Sequence, residues 1–323
     1  MSAEQQGIGR PWRRWLAWGG GVVLGVVLLT AAWAKALDPV TFAEQIGYEG
    51  LDFLIPAGVL AWLVILAEVV LGVALFLGLR TRQVLVPTGL LIAVFVFLTS
   101  RAYWRWVHGI EVEGPDCGCF GNLVSRTPAE AFWQDLFLLI PPYVLCLLER
   151  VKARSARILG RWGLVVAVGL GAAVFTLLAP RLPIDDLATR LSPNVAVSSL
   201  CAGSSDDAGE RICLDLLVPE LESGRHVVII ESLESPTLHA AIDDLNALAA
   251  GDSESVWVVS DASEDEQQVF YWEWGPLFEI REVPTALLRP LYRTLPRSFL
   301  VVDGVVVDTW AGMPEFEGAR DAL

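Results

Sequence analysis

Two cysteines separated by a single glycine stand in a polar stretch of an otherwise oily half-chain, at Asp116-Cys117-Gly118-Cys119-Phe120-Gly121-Asn122. Thiols two positions apart can close a strained disulfide, exchange it with a partner, or bind a soft metal ion. The glycines between and after them allow the turn that such an arrangement requires. Strain raises the reduction potential, which makes such a bond exchangeable rather than a permanent staple. The alternative is that both cysteines are structural and bonded elsewhere. His108 and Asp116 could complete a metal site, but nothing in their spacing demands one, and no metal ligand set is assigned.

Other residues could also carry chemistry. Cys201 and Cys213 are close in sequence, and a structural disulfide between them would close a short loop worth about 3 kcal/mol in the chain-entropy account. They could instead shuttle electrons with Cys117 and Cys119. Cys146 lies within an apolar run and reads as a small buried side chain. Glu68 falls near the middle of another apolar run, where an ionised carboxylate costs about 2.5 to 3.5 kcal/mol on insertion scales. It must face other helices, as a proton site, as a counter-ion for a ligand, or as a protonated or hydrogen-bonded packing residue. Lys35 and Asp38 are placed nearer the surface, to snorkel or to cap helix ends. His226 and His239 are isolated and read as packing or surface residues.

The elements that must position these residues follow from composition. The chain has 323 residues, 54 % hydrophobic and 19 % charged, with a mean hydropathy of +0.51. That describes an integral membrane protein and excludes both a disordered chain and a small disulfide scaffold. A net charge of -15 with two lysines, Lys35 and Lys152, provides no surface for neutralising phosphates, so nucleic acid is excluded as a partner. Of the 23 basic and 38 acidic side chains, 14 and 12 fall in residues 1–180, so the remainder is strongly acidic. An oily half followed by an acidic one marks a membrane domain and a soluble domain.

Five apolar runs, at 15–36, 53–79, 84–100, 132–148 and 162–179, are long enough to cross a hydrocarbon core. Arg10, Arg13 and Arg14 precede the first run as they would a signal peptide. It is nevertheless read as a span, because it exceeds the usual apolar region of about 7 to 15 residues. Basic residues flank the runs in alternation: Arg10 to Arg14, then Arg80 and Arg82, then Arg150, Lys152, Arg154, Arg157 and Arg161. Such residues stay cytoplasmic. The segments 37–52 and 101–131, and the acidic C-terminal domain, are therefore expected outside, with the N-terminus cytoplasmic, in the inner membrane of a bacterium.

Beyond residue 181 strands and helices alternate. Strands are expected at 227–230, 256–260, 298–302 and 305–310, the last two joined by the turn Asp303-Gly304, and helices at 236–250 and 264–274. Residues 183–219 read as linker and N-terminal elaboration.

Lys35-Ala36-Leu37-Asp38-Pro39, a following segment with Phe42, Glu68 with Gly72 and Gly78, and Cys117-Gly118-Cys119-Phe120-Gly121 together resemble the MauE family of DoxX-like membrane proteins, over roughly the first 150 residues. One departure is Gln134 before Asp135, where relatives carry Arg. The resemblance implies a four-helix bundle that helps the small subunit of methylamine dehydrogenase acquire disulfides, beside a thioredoxin-like partner. The C-terminal domain is similar to the thioredoxin-like fold, in which a strand leads into C-x-x-C at a helix N-terminus. Here 227–230 leads into Ser235-Pro236-Thr237-Leu238, so the redox pair is absent, while Leu295-Pro296 matches the position of the family's cis-proline.

The reading is therefore a membrane all-α bundle of four DoxX-like helices at 1–150. A basic loop and fifth tethering helix follow at 151–182, then a soluble extracytoplasmic α/β thioredoxin-like domain without C-x-x-C at 183–323. Cys117 and Cys119 are the candidate exchangeable pair, with Glu68 in the bundle interior, Cys201 and Cys213 as a structural disulfide and Pro296 as a fold marker. Expected partners are membrane lipid and an extracytoplasmic client or redox protein. A quinone could drain electrons from the pair, but no residue identifies a quinone site and no cofactor is assigned. The rival classes are a non-catalytic assembly scaffold and a transporter or metal-handling protein.

Overall fold

The computed structural model describes residues 11–110, 127–149, 156–202, 212–251 and 254–314. Cys117 and Cys119 lie outside the described residues. The chain divides into two compact units, the first ending at Arg181 and the second running from Leu182.

The first unit is helical: α1 (Pro11–Leu37), α2 (Pro39–Tyr48), α3 (Ala57–Phe76), α4 (Arg82–Val107), α5 (Pro128–Leu147) and α6 (Ala156–Leu178). All but α2 are long and apolar enough to cross a membrane. Local signals set the helix ends. Asp38 caps α2 by accepting from the Thr41 amide at 3.2 Å, with Pro39 in the first turn. Thr127 and Glu130 form a reciprocal capping box at the start of α5. Gly78, at φ 76°, supplies the left-handed residue that ends α3.

Helix α1 packs against α3 and α5, and α4 against α5. Leu24, Leu28, Leu75 and Leu79 are fully buried at the centre. Apolar side chains gain little from meeting one another in lipid, so close backbone approach has to hold the bundle together. Gly25 and Gly72 provide it: a methyl group at Gly25 would stand 2.8 Å from the Gly72 carbonyl. Leu90, Phe97, Phe137 and Leu170 point outward, as a lipid-facing surface requires.

The second unit contains α7 (Asp185–Ala188), β1 (Cys201–Ala202), β2 (Ile212–Cys213), α8 (Leu214–Leu217), β3 (Arg225–Ile230), α9 (Pro236–Ala249), β4 (Ser255–Ser260), α10 (Glu264–Trp274), β5 (Glu279–Glu282), α11 (Thr285–Leu288), β6 (Arg297–Val302) and β7 (Val305–Ala311). The main sheet has the order β5-β4-β3-β6-β7. Strands β3, β4 and β5 are parallel, while β6 runs antiparallel to β3 and to β7. With helices inserted after β3 and β4 and a cis Leu295–Pro296 bond ahead of β6, this is the thioredoxin-like arrangement. Asp303 and Gly304, at φ 47° and 77°, make the expected hairpin turn between β6 and β7.

Strand β3 is apolar on both faces, and each face needs cover. Val227 and Ile229 meet Leu238, Ile242 and Leu245 of α9. Val228 and Ile230 meet Leu191, Leu200, Leu214 and Leu221. Residues 183–219 are expected as linker and N-terminal elaboration; the apolar residues described there form the layer beneath the sheet face that α9 leaves uncovered. Strand β5 escapes a sequence reading because only Ile280 of its four residues is apolar and buried.

Candidate functional site

Of the residues expected to carry chemistry, the structure brings two pairs together. In the second unit Cys201 and Cys213 face each other as partners of the β1–β2 ladder and are joined by a disulfide. In the first unit Glu68, with none of its surface exposed, receives a hydrogen bond of 2.5 Å from Lys35 Nζ, itself 2 % exposed. The expectation that Lys35 snorkels to the surface is corrected. Its stem starts near the end of α1, but an intramembrane carboxylate on α3 gives the ammonium a better partner than the interface does, since an unpaired buried charge is the costlier state. The Lys35 ammonium lies 5.2 Å from the Phe42 ring centre and 5.0 Å from that of Phe95. Sequence reasoning missed this pair, although opposite charges in two apolar runs were its signal.

The segment that carries Cys117 and Cys119 joins α4 to α5, and its flanks are described. Tyr103 stacks on Phe132 at 5.2 Å, which brings the last turns of α4 beside the first turn of α5. Arg101 forms an ion pair with Glu49 and donates to its carbonyl at 2.9 Å, tying the same end of α4 to the end of α2. Both flanks therefore share one end of the bundle with the C-terminus of α1 and with α2. His108 bonds through Nδ1 to the Trp104 carbonyl at 2.7 Å. Asp116 lies outside the described residues. Among the described residues no group of three His, Cys, Asp or Glu converges as a metal site would require. Cys146 is buried in the helical core.

In the second unit the place of a C-x-x-C pair is held by Ser235 and Leu238. Ser235 is the N-cap of α9, its hydroxyl accepting from the Thr237 amide at 3.3 Å, while Leu238 is fully buried in the core. Neither can exchange a disulfide. Ile230 pairs with Arg297 across β3 and β6, so Pro296 stands at the same end of the sheet as the loop that leads into Ser235. Glu231, which opens that loop, is 4 % exposed; burial pushes its carboxyl above the usual range, against the opposing pull of the Ser232 amide and the Ser235 side chain. His226 and His239 bond through Nε2 to backbone carbonyls of Ser223 and Leu233, each at 2.7 Å. His239 also stacks on Trp274 at 4.3 Å.

Residues 13–148 match the family described as "Methylamine utilisation protein MauE". No curated protein matches the sequence significantly. Among solved structures, a putative thioredoxin from Neisseria meningitidis is 14 % identical, with 41 % of this chain and 88 % of that one covered and a TM-score of 0.31. A putative thiol:disulfide interchange protein DsbE from Chlorobium tepidum is 14 % identical over 41 % of this chain and 94 % of its own, with a TM-score of 0.32. Peroxiredoxin Q from Xanthomonas campestris is 21 % identical over 42 % and 92 %, with a TM-score of 0.29.

Proposed function

We propose that this protein handles thiol–disulfide exchange on the outer face of a bacterial inner membrane, in the maturation of a redox client protein. Cys117 and Cys119 are the exchangeable pair, and the thioredoxin-like domain presents the client or a redox partner. The observation that carries the reading is a division of features. The MauE match spans the Cys117-Gly118-Cys119 motif, whereas the attached thioredoxin-like domain has Ser235 and Leu238 where an exchanging pair would stand. A serine hydroxyl has far too high a pKa to replace a thiolate. The one disulfide in the described part of the second unit, Cys201–Cys213, reads as a staple. Basic residues on alternate segments support an outward-facing motif.

The exchange is balanced. A client thiolate attacks one sulfur of the Cys117–Cys119 disulfide and releases the other as a thiolate, and a second client thiol resolves the mixed disulfide. The client gains one disulfide while Cys117 and Cys119 leave as a dithiol. In intact cells, a membrane-impermeant maleimide applied before and after mild reductant, followed by mass-spectrometric mapping, is expected to label Cys117 and Cys119 only after reduction. Cys119→Ser, offered a partner that already carries its disulfide, is expected to trap a mixed disulfide: the Cys117 thiolate attacks, one partner sulfur leaves as a thiolate, and no second thiol remains in the motif to resolve the bond. A motif labelled only from the cytoplasm, or a bond inert to reductants that leave the bundle folded, would refute the proposal and favour a structural scaffold. Stoichiometric copper or zinc lost on changing both cysteines to serine would overturn it in favour of metal handling.

A further inference from the structure

The exchange proposed above leaves a dithiol that must be reoxidised, and a cavity in the first unit has the properties of the electron acceptor's site. About 480 Å³ opens between α2, α3 and α4, within the roughly 300 to 1,000 Å³ usual for small-molecule sites. It exists because α3 packs on α1 and α6 while α4 packs on α5, leaving α3 and α4 with little mutual contact. Its walls are apolar, with Leu60 and Val64 on α3 and Leu91 and Val94 on α4, and Lys35 lies at the polar end beside Phe42 and Phe95. Such a wall selects a molecule dissolved in the bilayer rather than one dissolved in water.

The polar end narrows the chemistry further. An ammonium has three N–H donors. Lys35 gives one to Glu68 Oε1, and on its cavity side the ammonium faces the rings of Phe42 and Phe95. Glu68 Oε2 is buried without a hydrogen-bond partner among the described residues. Lysine and glutamate cancel in charge, and Glu49, which lines the cavity together with Gln45, is paired with Arg101, so the lining offers neither a net positive site for an anionic headgroup nor a net negative one for a cation. A neutral carbonyl oxygen on a flat ring can accept from the ammonium without adding charge, and the two phenylalanine rings flank the place it would take. The Thr99 hydroxyl is already spent on the Phe95 carbonyl at 3.0 Å. The cavity also extends to the end of the bundle from which α4 and α5 lead into the segment holding Cys117 and Cys119, where Glu49 in its wall pairs with Arg101.

We propose that this cavity binds the head group of a lipid-soluble quinone, one carbonyl accepting a hydrogen bond from Lys35, and that the quinone oxidises the Cys117/Cys119 dithiol. Two thiols lose two electrons and two protons to become one disulfide, and the quinone takes up both to become a quinol. The electron-transfer step rests on the exchange proposed above; the binding step does not.

The test uses the purified full-length chain in quinone-free nanodiscs, titrated with ubiquinone-1 and separately photolabelled with an azidoquinone. Peptides of α3 and α4 around Val64 and Leu91 are expected to carry the label. Leu91→Trp, which fills the cavity, and Val94→Phe, at a partly lipid-exposed position that tolerates bulk, are each expected to weaken binding at least tenfold, with melting curves verifying the fold. The chain with Cys117→Ser and Cys119→Ser is expected to bind as the unaltered protein does. Equal binding by both cavity variants, labelling spread over the lipid-facing surface, or competition by phospholipid alone would overturn the site. Binding that survives in the serine chain, alongside a dithiol that never reduces the quinone in the unaltered one, would overturn the electron-transfer step while leaving the binding site standing; the exchange reading fails separately, if the Cys117–Cys119 bond proves inert to reductant.

Discussion

The Lys35–Glu68 pair makes a quantitative claim about the membrane domain. At 2.5 Å, two unit charges at an effective dielectric constant of 20 attract by about 7 kcal/mol. Desolvation of two groups buried almost completely offsets much of that attraction. The coupling should therefore fall below that ceiling yet remain large, because removing one partner of a buried pair costs about 3–5 kcal/mol. Lys35→Met strands the carboxylate and Glu68→Leu strands the ammonium, so each change alone should lower stability by about that amount. The double change removes both charges and fills similar volume, and buried pairs treated in this way end neutral to about 4 kcal/mol more stable. Unfolding the four full-length chains in mild detergent, followed by tryptophan fluorescence, gives the complete cycle. A coupling energy of about 3 kcal/mol or more is expected. Single losses that add to within about 0.5 kcal/mol would show that the two groups do not interact, and the close contact between α1 and α3 would need another explanation. The double variant has a second use: it should fold while lacking the donor to which the quinone carbonyl is assigned, and so separates stability from binding.

Three further outcomes are expected. Cys213→Ser should destabilise the thioredoxin-like domain by about 3 kcal/mol in the chain-entropy account, and reductant should bring the unaltered protein to the same melting temperature; no difference between oxidised and reduced forms would contradict this. Gly25→Leu should abolish folding of the bundle, and Gly25→Ala should cost about 1–3 kcal/mol through overpacking, because even the first added carbon meets the Gly72 carbonyl at 2.8 Å; detergent-stable expression of the leucine variant at ordinary levels would count against it. Burial raises the native pKa of Glu231 above the ordinary 4.5, so its contribution to stability is complete below the unfolded pKa and is lost as pH rises through the native value. Glu231→Gln should therefore melt higher than the unaltered domain at neutral pH, with the gap closing as pH falls towards 4; a gap independent of pH would refute the cause given.

The large elements were legible because each has a single dominant signal. Runs of apolar residues long enough for a bilayer became α1, α3, α4, α5 and α6, and the glycine-containing turn at Asp303-Gly304 joined β6 to β7. What escaped were segments whose reason for existing lies elsewhere in the chain. Strand β5 forms because β4 has an open edge that can accept its backbone, and one buried isoleucine among charged neighbours does not announce that. Leu191, Leu200, Leu214 and Leu221 stand among too many polar positions to read as core, yet they are held in place because β3 is apolar on both faces and a single helix covers only one.

The same distinction governs the candidate site. Cys117 and Cys119 are conspicuous because their chemistry is local: two thiols, one intervening glycine. Lys35 misleads because a lysine near a helix end is usually explained by the nearest water. Its partner stands 33 positions away on another helix, and only the packing of α1 against α3 brings the two together. A stricter physical reading was available. Glu68 cannot stand unpaired at mid-membrane without several kcal/mol of cost, and of the two lysines Lys35 is the one inside an apolar run, whereas Lys152 lies in a basic loop. Matching intramembrane charges by sign before assigning either to the interface would have predicted the α1–α3 contact from sequence, and with it the polar end of the cavity that the neighbouring helices enclose.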